Sequence, residues 1–132
     1  MDKKFKKYNN ATSDLHYYLL FCPRYQRKIF NIPGVESEFL RQLDRICREH
    51  DFEIVSVTCG EDHVLLHLVA GPYIEPASIV RLITQGTTKP LISKFEKLNR
   101  VVSVWTRSFL ASTTPIGEAE IKEYKNALKA KS

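Results

Sequence analysis

Two histidines, His63 and His67, stand in the one stretch of this chain whose residue types and spacing suggest metal or acid–base chemistry. The stretch Glu61-Asp62-His63-Val64-Leu65-Leu66-His67-Leu68-Val69-Ala70 reads as a buried strand. Side chains alternate across a strand, so Glu61, His63, Leu65 and His67 share one face, and Val64, Leu66 and Leu68 share the other. Imidazoles at i and i+2 would lie roughly 6.5 Å apart and could share a cation. At i and i+4 the separation is roughly 13 Å. Nitrogen–metal bonds of about 2 Å cannot span that distance without a bulge. The pair therefore looks like a metal strand with its middle ligand missing.

A second chemical stretch is Cys22-Pro23-Arg24-Tyr25-Gln26-Arg27-Lys28-Ile29-Phe30. Three cations beside an aromatic ring suit phosphate contacts combined with base stacking.

The elements that must position these residues are legible as an order. Residues 14–25, rich in Tyr, Leu and Phe, read as a first strand. Residues 36–49 carry Phe39, Leu40, Leu43, Ile46 and Cys47 at helical spacing. Residues 52–59 suit a strand, with Val55, Val57 and Cys59 on one face and Phe52, Ile54, Ser56 and Thr58 on the other. Gly60 and Glu61 then connect it tightly to the histidine strand, as a hairpin. Pro76 opens a second helix, which Gly86 and Pro90 are expected to interrupt. A fourth strand is predicted over 101–110, around Trp105, and a last helix over 118–129. The order β-α-β-β-α-β-α predicts an α+β fold. It is a ferredoxin-like split β-α-β antiparallel sheet, with helices packed on one face and an extra C-terminal helix.

At 132 residues the chain reads as a single domain, with a basic, solvated tail over 1–12 that holds Lys3, Lys4, Lys6 and Lys7. Three widely spaced cysteines make neither a disulfide framework nor a zinc knuckle. No apolar run is long enough to span a membrane and no secretory segment opens the chain, which together predict a soluble cytoplasmic protein. A net charge of +5 favours a polyanionic partner.

From about His16 to Leu128 the chain resembles the single-strand DNA transposases of small insertion sequences, the single-tyrosine branch of the HUH nucleases. Cys22 to Phe30 matches that family's Cys-Pro-Lys-Tyr-Arg-Arg-Lys-Val-Phe, and Glu61 to Leu68 its Pro-Asp-His-Val-His-Leu-Leu-Val. Residues 75–80 follow its Ser-Pro-Ser-x-Ile-Val helix start, Gln85 to Lys89 loosely follow Lys-Gly-x-Ser-Ser-Arg, and Trp105 to Phe109 follow Trp-x-x-Ser-Phe.

The resemblance implies a DNA-transposition enzyme that cuts and rejoins hairpin or single-stranded element ends through a 5′-phosphotyrosine. It implies Mg²⁺ or Mn²⁺ at the two HUH histidines, and homodimers with joined sheets. Carried onto this chain, it makes Tyr124, on a helix spanning 118–130, the nucleophile and His63 the first metal ligand. The second histidine position is Leu65, and the glutamine position is Leu128. Glu61 and His67 are then the substitute ligands on offer, and Arg24, Tyr25, Arg27, Lys28, Thr87, Thr88, Lys89 and Arg107 the DNA-binding set. Two readings follow: an active transposase with a rebuilt metal site, or a catalytically inactive descendant that binds DNA as a regulator. A plainer origin for Tyr124 also stands, because with Ile121 and Leu128 it forms an ordinary helix stripe.

Overall fold

The computed structural model of the protein describes residues 6–8, 11–13, 15–98 and 103–131. Its centre is a four-stranded antiparallel sheet. In chain order the strands are β3 (Leu15–Phe21), β4 (Glu53–Cys59), β5 (Val64–Ala70) and β6 (Leu110–Ser112), arranged β4-β5-β3-β6. Two further short strands, β1 (Lys6–Tyr8) and β2 (Ala11–Ser13), pair as a separate ribbon. Lys6 and Lys7, expected in a frayed tail, belong to that ribbon, while Lys3 and Lys4 lie outside the described residues. The helices are α1 (Val35–Glu49), α2 (Pro76–Lys94) and α3 (Glu118–Lys131). This is the predicted α+β split arrangement, with α1 and α2 packed together.

Alternation along β5 decides where the core lies. Val64, Leu66, Leu68 and Ala70 are fully buried, with Leu19 and Phe21 from β3, under Phe39, Leu43 and Ile46 of α1 and Ile79, Ile83 and Leu91 of α2. Trp105 meets Phe21 edge-on at 5.2 Å between ring centres, and its indole donates a 2.9 Å hydrogen bond to the Thr87 hydroxyl. Inside the same core, Glu38 accepts hydrogen bonds from Arg41, Gln42 and Lys94, which ties α1 to α2. Those bonds hold its carboxyl at about 2.

Three local expectations are corrected. The faces of β4 switch at Val55, which has no partner between Ile54↔Leu68 and Ser56↔His67. This β-bulge leaves Val55 52% exposed and brings Ile54, Val57 and Cys59 to the core together. The second helix is not interrupted. Gly86 sits where α1 crosses, since an added Cβ would lie 2.6 Å from Ile46 Cδ1, and Arg45 donates to the Gly86 carbonyl that Pro90 cannot reach.

The third correction concerns the first and fourth strands. Residues 22–24 pair with 104–106 only briefly, through Arg24 N–H to Val104 and Thr106 N–H to Cys22, around a lone Pro23–Trp105 bridge. Proline lacks the N–H that would continue the ladder, so β3 stops at Phe21 and regular pairing resumes only at β6. Part of the predicted fourth strand, 101–102, and the start of the predicted first strand, Asp14, lie outside the described residues. No described helix is long and apolar enough to cross a membrane.

Candidate active site and nucleic-acid interface

His63 lies just before β5, and its position depends on Gly60. An added Cβ at residue 60 would fall 2.2 Å from His63 Cε1, so the imidazole rests directly on the glycine backbone. Its Nδ1 is 3.5 Å from Asp62 Oδ1, and the same oxygen accepts a 2.6 Å hydrogen bond from Lys125 Nζ of α3. Burial, then the Lys125 charge, lowers the His63 pKa below its usual value and favours the neutral ring. Burial pushes Asp62 the other way, but Lys125 and His63 outweigh it and the carboxyl stays ionised below its ordinary range.

Tyr124 precedes Lys125 on α3, and its hydroxyl lies 2.8 Å from Ser108 Oγ. Burial pushes its pKa up to about 12, against the Ser108 hydrogen bond. A phenol held protonated in this way is a weak nucleophile at neutral pH. The Gln26 side chain donates to the Lys125 carbonyl at 2.9 Å, so α3 is fastened to the 24–26 turn as well as to Asp62. Neighbouring Cys22, fully buried, is pushed up to about 12 by burial and then by Asp62, and remains a thiol.

The substitute metal ligands do not assemble. Glu61 turns towards Lys28 at 3.6 Å and Asn31 at 3.4 Å, on the exposed side of the loop. His67 is hydrogen-bonded to His16 at 2.8 Å and stacked on Tyr18 at 4.1 Å. Among the described residues, no group of three His, Cys, Asp or Glu side chains could hold a metal ion. Leu65 lies opposite Leu20 and Thr58 in the sheet register, and Leu128 lines a cleft. The donor set does not fit Mg²⁺ or Mn²⁺, which takes mostly oxygen ligands in near-octahedral geometry.

The expected DNA-binding residues divide in two. Arg24, Thr88 and Arg107 line a cleft of about 680 Å³ between α2 and residues 103–109, together with Arg81, Thr84 and Gln85. A second cleft of about 410 Å³ is lined by Arg24, Tyr25, Gln26, Thr106, Arg107, Ser108, Leu128 and Lys129. The two share Arg24, Thr106 and Arg107, and neither is lined by a described carboxylate. Tyr25 is 76% exposed, under the Arg24 guanidinium at 5.6 Å, and is free to stack. Arg27 and Lys89 are exposed but line neither cleft, and Lys28 pairs with Glu61. Thr87 is a correction: it is fully buried, and its hydroxyl is spent on Trp105 and the Ile83 carbonyl.

Sequence reasoning missed Arg81, Ser108, Asp62, Lys125 and the close approach at Gly60. Lys125 carried a local signal, a cation directly after the candidate tyrosine, and Asp62 and Ser108 stood inside matched motifs without being singled out.

A split β-α-β sheet with a tyrosine-bearing helix docked beside its histidine strand defines a class, and comparison with known proteins agrees with it. Residues 11–126 match the family described as "Transposase IS200 like", and the chain belongs to that family. No curated protein matches it. Among solved structures it is similar to a protein from Deinococcus radiodurans R1 assigned as a transposase, at a TM-score of 0.79 and 21% identity over 93% of this chain and 97% of that one. It is also similar to a REP-associated tyrosine transposase bound to a REP hairpin, at a TM-score of 0.59 and 13% identity over 93% of this chain and 68% of that one. At such identities these two structures speak for the fold.

Proposed function

We propose that this chain binds hairpin or single-stranded DNA and that metal-assisted strand cleavage has been lost from it. The supporting observation is that two clefts without a described carboxylate share Arg24 and Arg107, the second reaching Ser108, the partner of Tyr124, while no group of three metal-ligating side chains stands among the described residues. Arginines in a groove neutralise phosphates, and the exposed Tyr25 ring offers a stacking platform for an unpaired base. The family resemblance supports the same substrate and a homodimer with joined sheets, which the mass of the free chain in solution would reveal.

The placement of Tyr124 favours a second reading, in which the chain is still an active transposase. Its hydroxyl would then form the Tyr–O–P bond as the P–O3′ bond breaks, leaving a 5′-phosphotyrosine and a free 3′ hydroxyl that takes up the proton. The test incubates a hairpin with a single-stranded flank at low salt, with Mg²⁺, with Mn²⁺ or with EDTA. The expected result is salt-sensitive binding with no covalent adduct, and binding weakened by about 1–3 kcal/mol in Arg24→Ala with Arg107→Ala. An adduct that disappears in Tyr124→Phe would overturn the loss of cleavage. Absence of any binding at low salt would overturn the DNA reading.

A further inference from the structure

The disagreement between the family's metal and this chain's donors points to Lys125. We infer that the Lys125 ammonium is the resident cation of the His63–Asp62 centre, standing where a divalent ion would sit and excluding one. Asp62 Oδ1 is shared by the two groups, 2.6 Å from Lys125 Nζ and 3.5 Å from His63 Nδ1. All three side chains are mostly buried, with exposures of 23% for Lys125, 18% for Asp62 and 17% for His63, so solvent screens their charges poorly.

Neither partner can easily leave this arrangement. Lys125 is fixed through its own carbonyl by Gln26, and its charge comes from α3, which Tyr124 and Ser108 also hold. The His63 ring is laid on Gly60. A divalent ion at the same carboxylate oxygen would have to displace the ammonium or lie beside it, and like charges at that range repel. With Lys125 in place the Asp62 carboxylate already has its counter-charge, an ammonium at 2.6 Å.

Removal of Lys125 changes the balance. Asp62 would then offer a carboxylate freed of its ammonium partner beside the His63 ring, a two-ligand site that a water-retaining cation such as Mn²⁺ accepts weakly.

Mn²⁺ titration of the isotopically labelled full chain, read as paramagnetic broadening of the residue 62 and 63 signals, tests it without DNA. The wild-type chain should show no selective broadening there in millimolar Mn²⁺. Lys125→Met, which keeps the aliphatic stem and loses the charge, should show selective, EDTA-reversible broadening, with Mn²⁺ affinity raised on the order of 10-fold or more. Adding Asp62→Asn should abolish it, and Lys125→Arg should behave as wild type. Selective broadening in the wild type would overturn the inference, and so would a folded Lys125→Met chain that binds Mn²⁺ no better. Lys125→Gln supplies the same reading if the methionine variant does not fold.

Discussion

His63 and His67 lie four residues apart, one just before β5 and the other within it, and they belong to different chemistries. His63 is held by charges and by chain segments remote in sequence: Asp62 beside it, Lys125 from α3 and the bare backbone of Gly60. His67 is held by its neighbours in the sheet, with His16 and Tyr18 beside it on β3 and Ser56 across from it on β4. Both imidazoles are lowered in pKa by burial first, but the second cause is the Lys125 charge for one and His16 for the other. Strand periodicity chooses the face a side chain occupies, and the adjoining elements then choose its chemistry. A metal site shared by the two histidines needs them in one environment, and their contacts place them in two.

The largest expected effect comes from breaking the His63 end through its glycine. Gly60→Ala puts a methyl group 2.2 Å from His63 Cε1, so the ring must leave Asp62 or the loop must shift. We expect a loss of about 1–3 kcal/mol in urea denaturation, as for other overpacked sites. In a His63→Ala background most of that loss should vanish, because the clashing ring is gone. An equal loss in both backgrounds would locate the cost in the backbone and remove His63 from the account.

Next in size is the charge that separates the two ends. Asp62→Asn leaves a mostly buried ammonium without its carboxylate, which should cost about 1–2 kcal/mol and loosen α3. The exposed pair Lys28–Glu61 offers a contrast. Its removal by Lys28→Ala should stay within about 0.5 kcal/mol, because solvent screens it. Hydrogen exchange along α3 distinguishes the two variants: faster exchange at residues 121–128 is expected in Asp62→Asn alone. Equal effects in both would mean that burial of the Asp62 pair contributes nothing.

How much of this was legible depended on the range of the interaction. The apolar alternation of Val64, Leu66 and Leu68 announced β5 and its core face, and the stripe of Phe39, Leu43 and Ile46 announced α1. The β4 bulge was not legible, because it is a register shift against β5 and a strand read alone does not show its partner's register. Pro90 and Gly86 have the character of helix breakers in sequence, because their compensations, Arg45 and Ile46, lie on another helix. Thr87 looked like a polar surface residue until Trp105 closed over it. At the site, Tyr124 and His63 were recognisable as types in a pattern. The bonds that tie their neighbourhoods together, Asp62 to Lys125 and Gln26 to Lys125, span 63 and 99 residues, a range no local pattern encodes.

The smallest expected effect tests the His67 end through pH. His67 has a usual pKa of 6.5 in the unfolded chain and a lower one in the fold, where burial and then His16 oppose its charge. Between those two values the unfolded chain binds more protons, so stability rises with pH there. The neutral ring's contribution is complete above about 6.5 and is lost as the pH falls through that value towards the folded pKa. His63 acts in the same direction, so the wild-type slope contains both, and replacing one residue at a time separates them. In His67→Phe the aromatic stack on Tyr18 is kept and the titration removed. Denaturation midpoints from about pH 7.5 to about pH 5 should therefore fall less steeply than in the wild type. His63→Gln should flatten the slope too, and should also disturb the Asp62–Lys125 pair, which His67→Phe leaves alone. If His67→Phe kept the full wild-type slope, His67 would contribute nothing to the pH response, which would then belong to the His63 end.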